Sequence, residues 1–173
     1  YGLIDAVLSS HSIEHQPDLI HHLQQVESLL LPNGRYFVIV PDKRFCFDQP
    51  LPESRVEDVL RAHRERRRRH TLRDVIRHRA QTTHNDAARH WDGDHLDDGH
   101  EEQMRRREQA AEAEHRSANG DYVDVHAWQF TPQSFLELMM ELNRRSLTKL
   151  VATKVFNTPR NKDEFCAILE KRD

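Results

Sequence analysis

The fold is decided by two short apolar runs, Leu3-Ile-Asp-Ala-Val-Leu-Ser9 and Tyr36-Phe-Val-Ile-Val40. Each has the length and composition of a buried strand in a parallel sheet. Between them, Pro17 and Asp18 favour a helix start and Pro32-Asn33-Gly34 favours its end. Apolar residues recur at helical spacing in this interval: Leu19, Leu23, Val26 and Leu30. The pattern predicts a βαβ unit with two parallel strands.

Composition limits the classes of function. The chain has 173 residues, enough for one domain with a core, and 32% of them are charged. Its net charge of −3 creates no field that favours nucleic acid or a membrane surface. No apolar run has the length of a membrane helix, and Tyr1 leads directly into a strand without a basic leader. We therefore predict a cytoplasmic protein with no nucleic-acid or membrane partner, and we expect its two cysteines to be buried thiols.

The middle of the chain lacks strand-like runs. Capping-box patterns at Ser54 and Thr71 predict helices near 55–69 and 72–80. Residues 100–116 are charged and rich in Ala, Glu and Arg, which predicts a solvated helix or disorder. We expect the five arginines within 64–69 to pair with the acidic stretch 86–124, or to be solvated, rather than to bind nucleic acid.

Regular structure returns at the carboxyl-terminal end. Thr131 and Pro132 are a good helix cap and first helical residue. Leu147 to Phe156 and Glu164 to Leu169 read as two strands, and the short link between them predicts an antiparallel hairpin. The predicted organisation is a βαβ half over 1–42, a helical insertion over 43–125, and a helix with a hairpin over 126–173.

These features resemble the carboxyl-terminal half of a class I S-adenosylmethionine-dependent methyltransferase. The resemblance rests on Asp5-Ala-Val-Leu-Ser-Ser-His-Ser-Ile-Glu-His15, on Leu29-Leu-Leu-Pro-Asn-Gly-Arg-Tyr-Phe-Val-Ile-Val-Pro41, and on the closing helix and hairpin. The resemblance implies an α/β fold that contains a partial Rossmann-like sheet. This sheet would have the equivalents of strands 4, 5, 6 and 7, of which the last pair is antiparallel. In the family two glycines usually follow the proline, whereas here Asn33 replaces the first.

The resemblance also implies a cofactor, S-adenosylmethionine, whose main binding loop is missing here. The five glycines do not form the family's glycine-rich loop after strand 1. The order of elements also leaves no counterpart for the family's acidic residue after strand 2. We therefore expect weak or no cofactor binding by these residues alone. The implied function is methyl transfer to a small-molecule or glycan-related acceptor. The alternative is a non-catalytic binding or assembly module built on the same fold.

Candidate site residues follow the ends of the two strands. By the resemblance, Ser9, Ser10 and His11 would line the cofactor side, and His11 or His15 could act as a general base. Acceptor-binding candidates lie after the second strand and in the insertion. They are Asp42, Lys43, Arg44, His84, Asn85, His90, Trp91, His126 and Trp128.

Two patterns in the sequence suggest a metal site, but neither has the features that such a site requires. His11-Ser-Ile-Glu-His15 matches His-x-x-Glu-His, a zinc-peptidase motif that needs a continuous helix, but Pro17 disfavours a helical Gln16. The histidines at 84, 90, 95 and 100 have no standard zinc spacing. We therefore predict no metal. The edge of Leu3–Ser9, which would lie beside strand 1 in the intact family fold, predicts self-association.

Overall fold

A computed structural model describes residues 2–172, so the outer ends of the predicted segments, Tyr1 and Asp173, lie outside the described residues. The protein is α/β, with a four-stranded mixed open sheet and several helices. The elements in chain order are β1 (Ile4–Ser10), α1 (Leu19–Leu29), β2 (Leu30–Pro41), α2 (Val56–Arg64), α3 (Leu72–Ala80), α4 (Ala87–Trp91), α5 (His100–Ser117), α6 (Pro132–Arg144), β3 (Leu150–Val155) and β4 (Glu164–Lys171).

The sheet has the order β1-β2-β4-β3. Strands β1 and β2 are parallel, as the βαβ pattern predicts, and β3 and β4 form the predicted antiparallel hairpin. Strand β4 lies between β2 and β3 and pairs antiparallel with β2. The carboxyl ends of β1 and β2 therefore lie side by side at one end of the sheet, and the candidate site residues begin there.

The main core covers one face of this sheet. On β2, Tyr36, Val38 and Val40 are buried, whereas the alternate residues Phe37 and Ile39 are only half-buried. The buried side chains belong to one cluster that includes the apolar faces of α1 and α6. On the opposite face, Leu8 of β1 and Cys166 of β4 are exposed, and Ile39 and Ile168 are half-buried.

Strand β1 is parallel as predicted, but the expectation that it is buried was wrong. Most of its residues are exposed, including Leu8 at 72%, and Leu3, just before the strand, is 76% exposed. The strand has a single neighbour, β2, so one backbone edge and one face meet solvent. This exposure follows from its place at the end of the sheet order.

Both ends of α1 differ from the prediction. Asp18 is the helix cap, accepting a hydrogen bond from the His21 amide, and Pro17 precedes the helix rather than lying in its first turn. The helix ends at Leu29, before Pro32-Asn33-Gly34. That tripeptide instead lies in β2, where the pairing shifts from Ile4–Leu30 to Ala6–Arg35.

The insertion is helical, with one capping prediction confirmed and one wrong. Thr71 and Asp74 form the predicted capping box, and α3 covers the predicted range. Ser54 does not cap α2, because its hydroxyl accepts a hydrogen bond from the Gln129 amide, and α2 ends at Arg64. Residues 100–117 are a helix rather than disordered.

The arginine-rich segment after α2 makes local and backbone contacts. Arg67 pairs with Glu65 of the same segment, and Arg69 donates to the carbonyl of Gly120. Gly120 lies in the acidic stretch, but ion pairs with acids of that stretch come from arginines outside 64–69, such as Arg79 with Glu114 and Arg160 with Asp92. The prediction for the cysteines was half wrong, since Cys46 is buried but Cys166 is exposed on β4.

Candidate functional site

The residues that follow β1 turn sharply toward β4. His11 has a left-handed φ of 47°, which is uncommon for a non-glycine residue and marks an abrupt turn. Its Nε2 lies 2.7 Å from Glu164 Oε2. Ser9 Oγ lies 2.5 Å from Tyr36 Oη, while Ser10 is exposed. The three predicted cofactor-side residues thus lie at the carboxyl end of β1, and two of them already contact other side chains.

The end of β2 is organised around a buried carboxylate. Asp42 is fully buried and accepts hydrogen bonds from Arg44 Nε at 2.9 Å and from Thr158 Oγ1 at 2.6 Å. Lys43 Nζ donates to the carbonyl of Gln49 at 2.9 Å. Since these predicted acceptor-binding side chains bond to the protein itself, a direct role in binding requires that Arg44, which is half exposed, reach an acceptor.

The predicted residues of α4 lie beside the β3–β4 link. Trp91 stacks on Phe45 with ring centroids 3.9 Å apart, and its Nε1 donates to the carbonyl of Lys162 at 2.9 Å. Asn85 Oδ1 accepts from the Phe47 amide. Of these contacts, the hydrogen bond from Trp91 to Lys162 attaches the insertion to the β3–β4 link.

Three histidines of the insertion stack on one another. The His90 ring lies 4.2 Å from that of His84 and 5.4 Å from that of His95. Both nitrogens of His90 have partners, the carbonyl of His84 and Nδ1 of His95. This stack therefore offers no free lone pair at its central ring.

The segment 122–128 returns the chain to the β1 loop. The amide of Ala127 donates to the carbonyl of Glu14 at 2.7 Å, and Trp128 Nε1 donates to the carbonyl of Gln16 at 2.6 Å. Trp128 also lines a groove of about 560 Å³ between α2 and α3. These bonds place the His126 ring against that of His15, with ring centroids 4.6 Å apart.

Around this junction lies a group of five titratable side chains, which we call the histidine–carboxylate cluster. It consists of Glu14, His15, Asp48, His78 and His126. Glu14 and His15 come from a 3₁₀ turn over Ile13–His15, Asp48 follows β2, His78 lies on α3, and His126 comes from the returning segment. Two sets within the cluster bring their donor atoms to within 4.8 Å of one another: Glu14, His15 and His126, and Asp48, His78 and His126.

Carboxylates orient two of the rings. Asp124 Oδ1 lies 2.9 Å from His15 Nδ1, and Asp48 Oδ2 lies 2.7 Å from His126 Nδ1. In each ring the remaining nitrogen, Nε2, is therefore the atom free for another partner. His15 Nε2 lies 3.7 Å from Glu14 Oε1, which is too long for a hydrogen bond.

Unpartnered buried oxygens distinguish the cluster. Glu14 has an exposed fraction of 1%, and neither carboxylate oxygen has a hydrogen-bond partner. Asp48 is equally buried, and its Oδ1 also lacks a partner. A buried polar atom without a partner is costly, and such atoms are enriched where a site binds something.

Burial shifts the pKa values of two residues of the cluster, Glu14 and His78. It raises the pKa of Glu14, against the opposing effects of its own backbone and of the neighbouring histidines. Burial, together with the adjacent His126 and Arg79, lowers the pKa of His78 to about 3. His78 is thus neutral near pH 7, which fits its Nδ1 accepting the amide hydrogen of His126 at 3.1 Å.

Sequence reasoning found part of this site. It named His15 and His126 as candidates, and the structure brings their rings together. It did not select Glu14, Asp48, His78 or Asp124. The His-x-x-Glu-His pattern was the one signal for Glu14, whereas Asp48 and His78 are 30 residues apart on different elements and carry no local signal.

Comparison with known proteins gives no assignment. No family model matches the chain, and neither curated proteins nor solved structures include a match to it. None of the helices over residues 2–172 combines the length and the apolar character needed to span a membrane.

Proposed function

We propose that this chain is the acceptor-side part of an S-adenosylmethionine-dependent methyltransferase that acts on a small-molecule or glycan-related acceptor. The observation that supports this most is the convergence of three segments at one sheet edge. The loop after β1, the end of β2 and the segment 122–128 meet where parallel strands end, which is where α/β sheets collect ligands. The parallel pair followed by the antiparallel hairpin has the order that the resemblance implies.

The described residues fit one wall of a cofactor site and not its cradle. In residues 2–172 no glycine lies at the carboxyl end of β1 or β2. Gly2 and Gly34 lie at the opposite end, where a Cβ at Gly34 would approach the Leu31 carbonyl to 2.8 Å. S-Adenosylmethionine, when bound, supplies an electrophilic methyl group, but a backbone cradle for it would have to come from other residues.

His11 is the proposed general base if the acceptor must lose a proton. Its side chain is 40% exposed, compared with 25% for His15, and Glu164 holds its Nε2. A carboxylate on one ring nitrogen fixes the orientation of the ring. Positioning of the acceptor would supply the larger part of the rate enhancement.

The alternative function is a non-catalytic binding or assembly module. The lack of a glycine cradle among the described residues and the exposed edge of β1 favour it. Binding of S-adenosylhomocysteine separates the two functions, since a methyltransferase binds this product and an assembly module does not.

The test is calorimetry of S-adenosylhomocysteine with the product of the complete open reading frame that contains these residues. We expect binding by that product and weak or no binding by the 173-residue chain. Ser10→Arg places a bulky cation at the exposed end of β1, and we expect it to weaken binding at least about tenfold. Ser28→Arg, at an exposed position near the opposite end of the sheet, is the matched control. Absence of binding by the complete product would refute the methyltransferase proposal.

A further inference from the structure

The cluster contains a buried carboxylate whose neighbours are arranged for a cation. Both oxygens of Glu14 are buried without a hydrogen-bond partner, and the nearest titratable nitrogens belong to histidines. An isolated buried carboxylate is unfavourable unless it is protonated, paired or bound to a metal. His15 Nε2 and His11 Nδ1 lie 3.7 and 3.9 Å from Glu14 Oε1, and both distances are too long for a hydrogen bond.

We propose that Glu14, His15 and His126 form a binding site for a divalent transition-metal ion, with Zn²⁺ as the ion that their donor atoms fit best. Two imidazoles and one carboxylate are a ligand set of zinc sites that leave a further position open. Imidazole nitrogens favour zinc and its first-row neighbours over Mg²⁺ and Ca²⁺, which prefer oxygen ligands.

The spacing of the donors agrees with this assignment. At Zn–N and Zn–O distances of about 2.1 Å, tetrahedral donors lie roughly 3.4 Å apart. His15 Nε2 and Glu14 Oε1 are 3.7 Å apart, and one donor atom from each of the three residues lies within 4.8 Å of the others. A contact of 3.7 Å is unfavourable as a hydrogen bond but close to the separation of two ligands on one ion.

The hydrogen bonds around the ligands also favour a metal. Asp124 holds Nδ1 of His15 and Asp48 holds Nδ1 of His126, so both rings present Nε2. Metal-binding histidines commonly donate their second N–H to a carboxylate, which fixes the ring and raises its basicity.

The second donor set, which shares His126, is less suited to an ion. Its His126 Nδ1 is engaged by Asp48, and His78 Nδ1 accepts the His126 amide hydrogen. The neutral His78 ring then carries its proton on Nε2 and has no lone pair there. We therefore assign Asp48 and His78 as positioning residues that orient His126.

Solvent can reach the site from the side of His15. The His15 side chain is 25% exposed, whereas Glu14 and His126 are 1% and 6% exposed. A site of this shape holds its ligands in a rigid, largely dry setting and keeps one side open for an ion to enter. This proposal replaces the sequence-based prediction that the chain binds no metal.

The primary experiment is calorimetric titration of the metal-free 173-residue chain with Zn²⁺ near neutral pH, with Mg²⁺ as the comparison ion. We expect one Zn²⁺ per chain and no binding of Mg²⁺. Glu14→Gln and His126→Gln should each weaken Zn²⁺ binding by roughly 100-fold or more, because loss of a ligand costs more than the 10–100-fold typical of an outer partner. His95→Gln and Cys166→Ser are matched controls that remove other nitrogen and sulfur donors, and both should bind Zn²⁺ as the parent does.

A second variant keeps the test valid if Glu14→Gln fails to fold. Asp124 is 65% exposed and touches the ion only through His15, so Asp124→Asn should fold and weaken Zn²⁺ binding about 10–100-fold. Asp121→Asn, at an exposed acid just before the segment 122–128, should leave binding unchanged. Zn²⁺ should also raise the Tm of the parent chain but not that of His126→Gln.

The proposal is overturned if the chain binds no Zn²⁺, or if binding persists in Glu14→Gln and His126→Gln while it disappears in His95→Gln or Cys166→Ser. Visible absorption of the Co²⁺-loaded chain gives an independent readout, since intensity that is lost in Asp124→Asn reports coordination through His15. None of these measurements includes a methyl donor, so their failure is distinct from failure of the methyltransferase proposal.

Discussion

Three polar side chains link β1, β2 and α1 through contacts at one hydroxyl group. Ser9 Oγ lies 2.5 Å from the hydroxyl of Tyr36, and His22 Nε2 lies 3.3 Å from the same oxygen. Tyr36 is fully buried, so its hydroxyl depends on these two partners. Burial lowers the pKa of His22 from its ordinary value of 6.5, and the neighbouring His21 adds to this shift.

The lowered pKa of His22 makes stability depend on pH. Below pH 6.5 the unfolded chain binds a proton at His22 more readily than the folded chain, so the free energy of unfolding decreases as the pH falls toward the folded pKa. Above that range His22 is neutral in both states and contributes nothing. We expect His22→Gln, which retains a hydrogen-bonding group toward Tyr36, to reduce this decrease.

Urea unfolding of both proteins between about pH 5 and pH 7.5 measures the effect. His115→Gln on the charged helix α5 is the control and should keep the slope of the parent chain. An equal slope for His22→Gln and the parent would contradict the assignment of this acid sensitivity to His22.

At the scale of elements, two helices begin with reciprocal capping boxes. Thr131 Oγ1 accepts from the Ser134 amide while Ser134 Oγ accepts from the Thr131 amide, and Pro132 occupies the first turn. Thr71 and Asp74 repeat the arrangement at α3. The apolar face of α6 packs on the hairpin side of the sheet, where Phe135 lies against Phe165 of β4.

Thr131→Ala should lower the free energy of unfolding by about 1 kcal/mol, because the amide of Ser134 loses its acceptor. Gln133→Ala, at an exposed position in the same first turn of α6, is the matched control and should change stability little. Denaturant titration measures both. A double mutant with Ser134→Ala should cost less than the sum of the single changes, since the two side chains form one unit. Additive costs would show that the box is not reciprocal in solution.

The same capping motif shows why sequence predicts some elements and not others. Thr71 and Thr131 act on residues three positions away, so their patterns are local and both predictions were confirmed. Ser54 has the same local pattern, but Gln129 captures its hydroxyl from 75 residues away. Local spacing also predicted the βαβ unit and the hairpin, because turns and short links determine those pairings.

The candidate site was less predictable because it is assembled from distant segments. His11 and His15 could be located from the end of a strand, and His126 was named individually. Asp48 and His78 join the cluster only because the segment 122–128 folds back onto the Glu14 carbonyl. Glu14 was named only as part of the His-x-x-Glu-His pattern, because its lack of hydrogen-bond partners is visible only in three dimensions.

At the scale of the whole molecule, β1 and the residue before it carry three large exposed apolar side chains, Leu3, Ile4 and Leu8. Leu8 is 72% exposed and pairs in register with Phe37, which in turn pairs with Ile168. His11 N donates to the Ile39 carbonyl, so by alternation the amides of Leu8 and Ser10 point away from β2. An edge with free amides and apolar side chains is a template for pairing with another strand.

We therefore expect the 173-residue chain to self-associate through the edge of β1, with a second copy of β1 as the partner. Leu8→Lys adds a charge at this edge without removing an amide that bonds to β2, and charged edge residues oppose strand pairing. It should weaken association at least about tenfold, equivalent to about 1.4 kcal/mol.

Met140→Lys, at a position 63% exposed on α6, is the control for an added charge away from the edge. Light scattering across a concentration series measures the association, and hydrogen exchange of residues 4–10 locates it. A monomer at every concentration with rapid exchange in β1, or equal effects of the two lysine variants, would contradict pairing through this strand.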